Sequence, residues 1–125
     1  MSAKIRFEWP KGSLVATLQD TPTTAALLKA LPISASANTW GQEVYFQIPV
    51  QAKLEASAQQ EVEVGAVCFW VEGSSLALPW GATPISQGST PRLVTRCNVL
   101  GKFDGDATQM ASVHDGDRVR VTLAE

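Results

Sequence analysis

Five consecutive apolar residues, Val67-Cys68-Phe69-Trp70-Val71, constrain this chain more than any other feature. The run reads as a strand. A strand that is apolar on both faces needs cover on both sides. The segments around it also read as short strands. Ile5, Phe7 and Trp9 alternate with Lys4, Arg6 and Glu8, and after the turn residues Pro10-Lys11-Gly12 the alternation resumes at Leu14, Ala16 and Leu18, which predicts a hairpin. Trp40 to Ile48 alternates as well, with Trp40, Gln42, Val44, Phe46 and Ile48 on one face and Glu43, Tyr45 and Gln47 on the other. Further strands are expected at Leu76 to Trp80, Val94 to Phe103 and Arg118 to Leu123, parted by Gly-, Pro- and Asp-rich turns.

One helix interrupts the strands. Thr21 can cap its free amides, Pro22 suits the first helical position and Pro32 ends the run, so the helix covers 22–31. Thr24, Leu27, Leu28 and Leu31 form its apolar stripe, and a short second helical turn is expected at Ala107 to Ser112. So many short strands in 125 residues favour a closed barrel, because closure removes edges that would recruit other chains. The helix is expected to cover the outer face of Val67 to Val71. The whole chain, 1–125, forms one domain.

Composition excludes several function classes. Ten Lys and Arg against twelve Asp and Glu leave a net charge of −2, which supplies no positive field for nucleic acid or anionic lipid. The longest uncharged run, Gly73 to Pro91, is broken throughout by Gly, Pro and Ser, so no membrane partner is expected. One histidine and two cysteines cannot close a zinc site, and Asp104-Gly105-Asp106 and Asp115-Gly116-Asp117 read as turns, so no metal is expected. No P-loop, dinucleotide fingerprint or Gly-x-Ser-x-Gly occurs, and no cofactor is expected. Cys68 and Cys97 read as small buried hydrophobes in a reducing cytoplasm, and the N-terminal segment has no signal-peptide pattern.

A set of spaced motifs carries a family resemblance. Asn38-Thr39-Trp40-Gly41 is followed by Glu43-Val44-Tyr45-Phe46 and Pro49-Val50. Then come Val62-Glu63-Val64-Gly65, Phe69-Trp70, Gly81-Ala82-Thr83-Pro84, Asn98-Val99-Leu100-Gly101-Lys102 and Asp115-Gly116-Asp117. In this order the motifs resemble the cyclophilin-like family of small prokaryotic proteins, over about two-thirds of the chain. The resemblance implies an all-β fold, a closed cyclophilin-like barrel of about eight strands with one or two short helices. Ala66, Val71-Glu72-Gly73 and Pro79-Trp80-Gly81 depart from the family's usual residues.

Two functional readings follow. The preferred one is a domain that binds a peptide or small molecule in an aromatic-lined pocket: Trp40, Tyr45, Phe46, Trp70 and Trp80 are five of only nine aromatics. The candidate contact residues are Trp40, Glu43, Tyr45, Phe46, Trp80 and Arg92. Trp40 and Phe46 read first as core, since they share the face of Val44 and Ile48; Glu43 and Tyr45, on the opposite face, are the better contact candidates, and Trp80 sits in a loop-like stretch. The alternative is a peptidyl-prolyl isomerase with a non-standard site. The Phe-His-Arg signature of true cyclophilins is missing, which leaves Arg92 and Arg96 as substitutes for the cation that would weaken amide resonance.

Overall fold

The computed structural model describes residues 2–124. β1 (Ala3–Trp9) and β2 (Gly12–Leu18) form the expected hairpin, with Phe7 opposite Leu14 and Ile5 opposite Ala16. Helix α1 (Pro22–Ala30) begins where Thr21 Oγ1 accepts a hydrogen bond from the Thr24 amide, with Pro22 just inside the cap. There follow β3 (Ile33–Ser36), β4 (Asn38–Thr39), β5 (Glu43–Gln47), β6 (Gln59–Glu61), β7 (Ala66–Trp70), β8 (Ser75–Pro79) and β9 (Arg92–Phe103). A 3-10 turn (Ala107–Ser112) and β10 (Arg118–Leu123) complete the described fold.

All the pairings are antiparallel, in the order β3-β10-β1-β2-β9-β7-β8-β5-β4, with β6 attached to β9 off this path. The fold is thus mostly β with few short helices, as expected, but the sheet is not closed into a barrel. Its end strands, β3 and β4, are consecutive in the chain and share no ladder. Ala37 alone joins them. The β10 turn secures this seam: the Ala37 amide donates to the Asp117 carbonyl (2.8 Å) and the Gly116 amide to the Ala37 carbonyl (2.9 Å). Asp115 Oδ1 accepts from the Thr39 amide (2.7 Å) and hydroxyl (2.8 Å). A strand of two exposed residues offers too few backbone groups to zip the curl shut.

β7 is buried on both faces, as its composition demands, but the two faces serve different clusters. Val67 and Phe69 enter the main core with Ile5, Phe7, Leu18, Phe46, Leu76 and Leu100. Ala66 and Cys68 enter a smaller cluster with Val62, Ala77, Leu93 and Cys97. The cover on this second face is therefore Val62, just past β6, and the first half of β9, not α1. Leu27 of α1 is buried in the main core instead. The division follows from the length of β9. Its later residues pair with β7 and β2, while Cys97 and Arg92 pair with Gln59 and Glu61 of β6.

Asn98, wholly buried in β9, ties the second half of the fold to α1. Its amide nitrogen donates to Thr23 Oγ1 (3.0 Å) and the Lys53 carbonyl (2.9 Å), and its Oδ1 accepts from the Glu55 amide (2.7 Å). Glu55 in turn accepts from the Thr23 hydroxyl (2.6 Å). These bonds satisfy polar groups that would otherwise be buried unpaired, and they hold the 50–58 segment against the helix. Nearby, Gly101 lies so close to β2 that a Cβ there would run into the Thr17 carbonyl oxygen.

Candidate functional site

The Trp40 to Ile48 stretch is not one strand. The chain turns at Gly41, whose φ of +60° lies in the left-handed region that favours glycine, and the Trp40 amide bonds back to the Glu43 carbonyl (3.0 Å). This turn breaks the alternation. Trp40 therefore leaves the face of Val44 and Phe46 and joins that of Glu43 and Tyr45.

Together these three residues line a cavity of about 200 Å³ on the outer face of the sheet. Trp70 enters from the end of β7 and Ala77 from β8; Leu93, Val94 and Cys97 come from the first half of β9. The cavity thus adjoins the smaller of the two clusters. Its walls are aromatic and aliphatic, and its one carboxylate belongs to Glu43.

Glu43 is only 6% exposed, and its Oε1 has no hydrogen-bond partner among the described residues. Burial pushes its carboxyl up to about 7, so near neutral pH both protonation states are populated. The thiols respond to the same surroundings. Burial pushes Cys97 up to about 12 and raises Cys68 well above its ordinary range, and the Glu43 charge adds to both shifts. Both cysteines are free and buried, as a pair of small hydrophobes would be.

The other three candidates lie outside this cavity. Phe46 points into the main core, wholly buried, with its ring edge-on to Phe7 at 6.4 Å. Trp80 is half-buried against the main core, its amide extending the β5–β8 ladder by donating to the Gln42 carbonyl (2.8 Å). The Pro- and Gly-containing stretch around it resembles a loop in sequence, yet Pro79 ends a strand and Gly81 is buried against Gln42. Arg92 faces Glu61 (3.5 Å) and Gln60 (3.3 Å) of β6. Sequence reasoning left Trp70 out of the contact set, although alternation from Cys68 along β7 places both on the same face.

The aspartates of the two Asp-Gly-Asp turns bind local or neighbouring donors. Asp106 caps the 3-10 turn through Thr108, Asp104 meets Lys4 and Thr17, and Asp117 accepts from the His114 amide. Those bonds hold the carboxyls of Asp104 and Asp106 below the usual carboxylate range, Asp104 through Lys4 first and then Thr17, Asp106 through Thr108.

A curled antiparallel sheet with a single helix and a pocket on its outer face defines a small β scaffold of the cyclophilin type. The chain belongs to the cyclophilin-like family: residues 1–122 match that family's sequence profile. It is similar over 98% of its length to 95% of the hypothetical protein AF2241 from Archaeoglobus fulgidus, known from a solution structure, with 31% identity and a TM-score of 0.84. It also shares its fold with McbB, solved in complex with tryptophan, at 18% identity and a TM-score of 0.66, covering 95% of this chain and 44% of McbB. No curated protein matches the chain. No helix among the described residues is long and apolar enough to cross a membrane.

Proposed function

We propose that this protein is a binding domain whose ligand is a small, largely apolar molecule held between Trp40, Tyr45 and Trp70. The observation that carries this reading is a preformed cavity with aromatic walls in which one buried polar atom, Glu43 Oε1, has no partner among the described residues. Small-molecule sites have this composition, an apolar lining with few polar groups to fix orientation. Size favours a small molecule over a peptide. An apolar cavity of about 150 Å³ holds benzene, so about 200 Å³ takes a ring with a short substituent. The two free, buried cysteines support a reducing, cytoplasmic setting.

A fragment screen read by ¹H–¹⁵N NMR tests the reading, because the four indoles report on different places. Binding fragments are expected to shift the indole N–H resonances of Trp40 and Trp70. That of Trp9, which donates to Ser112 Oγ (2.8 Å), should stay in place. Hits that move only Trp9 or Trp80, or no hits among single-ring fragments at millimolar concentration, would overturn it. Prolyl isomerisation has less support, since the cavity offers a carboxylate where that reaction needs a cation or donor near the prolyl nitrogen.

A further inference from the structure

An acceptor buried without a donor is costly, and a fold that keeps one in a cavity wall leaves a place for a donor from outside. We propose that the pocket selects small primary or secondary amines in their cationic form, with the ammonium N–H donating to Glu43 Oε1 and the hydrocarbon body lying against Trp40, Tyr45 and Trp70. The proposal rests on the pocket reading above and assigns its ligand class.

Charge and wall chemistry both point this way. The faces of indole and phenol rings attract cations, and a charge-assisted hydrogen bond is about twice as strong as a neutral one. An anionic ligand would meet Glu43 across an apolar space and be repelled. A quaternary ammonium would satisfy the rings but bring no N–H for Oε1. The cavity's size selects a free amine of about one ring, such as benzylamine, over a longer chain.

Among the described residues, the titratable groups found around Glu43 add no positive charge. They are Tyr45 on its own strand, Cys68 on β7 and Cys97 on β9, with Glu72 acting on Cys97. An amine entering at pH 6 therefore meets mostly a carboxylic acid, which releases its proton to solvent as the ion pair forms. At pH 8 the carboxylate is already present. With the Glu43 carboxyl at about 7, affinity should rise about tenfold from pH 6 to pH 8.

The test is calorimetric titration of the full chain with benzylamine, its neutral analogue benzyl alcohol, and Nα-acetyl-lysine methylamide, at both pH values, with NMR reporting on the Trp40 and Trp70 indoles. Benzylamine is expected to bind at least tenfold more tightly than the alcohol at pH 8, and Glu43→Gln to abolish that preference. Wild-type protein supplies a second readout that needs no variant. Buffers of different ionisation heat should show about one proton released per amine at pH 6 and almost none at pH 8. Alcohol binding as tight as the amine, or no proton release at pH 6, would overturn the ligand class and leave the pocket standing. Tighter binding of the lysine derivative would overturn the free-amine assignment in favour of a peptide side chain. Silence of both indoles toward every probe would overturn the pocket reading and this proposal with it.

Discussion

The two faces of β7 look onto different kinds of interior. On one side Val67 and Phe69 join a large cluster in which the rings of Phe7, Phe46 and Phe103 meet edge to face at 5.3 and 6.4 Å. On the other, Ala66 and Cys68 join a small cluster of short side chains, bordered by a carboxylate and open at one side to a cavity. The first interior is filled by its own side chains; the second leaves space. The sheet that separates them can therefore gain stability on one face and hold an unsatisfied acceptor on the other.

Truncation on the filled side should have the largest effect. Phe46→Ala removes a wholly buried ring and is expected to cost about 3–5 kcal/mol in chemical denaturation. A cost under about 1 kcal/mol would erase the contrast between the two interiors. Next comes Glu43. Its carboxyl is raised on folding from 4.5 to about 7, so the folded state holds the proton more tightly than the unfolded chain. Its contribution therefore lowers stability progressively as pH rises from about 4.5 to 7, and remains unfavourable above. Glu43→Gln should flatten that slope and stabilise the protein at pH 8 by on the order of 2–3 kcal/mol, measured by urea unfolding across the pH range.

Smaller effects sharpen the contrast further. Trp70→Ala, on the open side, should cost about 1 kcal/mol, well below a buried Trp truncation, yet remove any fragment binding seen at Trp40. Ala77→Leu should fill the cavity and block fragments with a stability change under about 1.5 kcal/mol. Finally, the burial-raised thiols of Cys68 and Cys97 should resist Ellman's reagent at pH 8 until the chain unfolds. Fast labelling of native protein would mean that the small cluster opens readily.

Local elements were legible because local chemistry decides them. Thr21 and Pro22 mark the start of α1, Pro10-Lys11-Gly12 the hairpin, and Arg118 to Leu123 is a strand with the expected bounds. The turn at Gly41 was hidden by an alternation that runs straight through it in sequence, and this displaced Trp40 onto the wrong face. Sheet closure and the cover over β7 depend on pairings between residues far apart in the chain, which periodicity does not encode. The site was partly legible for the same reason. Glu43 and Tyr45 follow from the alternation within β5, whereas Leu93 and Cys97 reach the cavity through the register of β9 on β6. Trp80 and Arg92 attract attention by residue type, and the structure places both away from the cavity, Trp80 half-buried against the main core and Arg92 facing Glu61 and Gln60.

The seam at Ala37 gives the open sheet a property that a zipped cylinder lacks. The borders of the sheet are held by one peptide and by side-chain and turn hydrogen bonds from the Asp115–Asp117 corner, so sliding one border past the other breaks a handful of bonds, not a full row. Trp40 follows Thr39 directly, and Thr39 is clasped by Asp115. The corner between the last two elements thus anchors the residue next to one wall of the pocket.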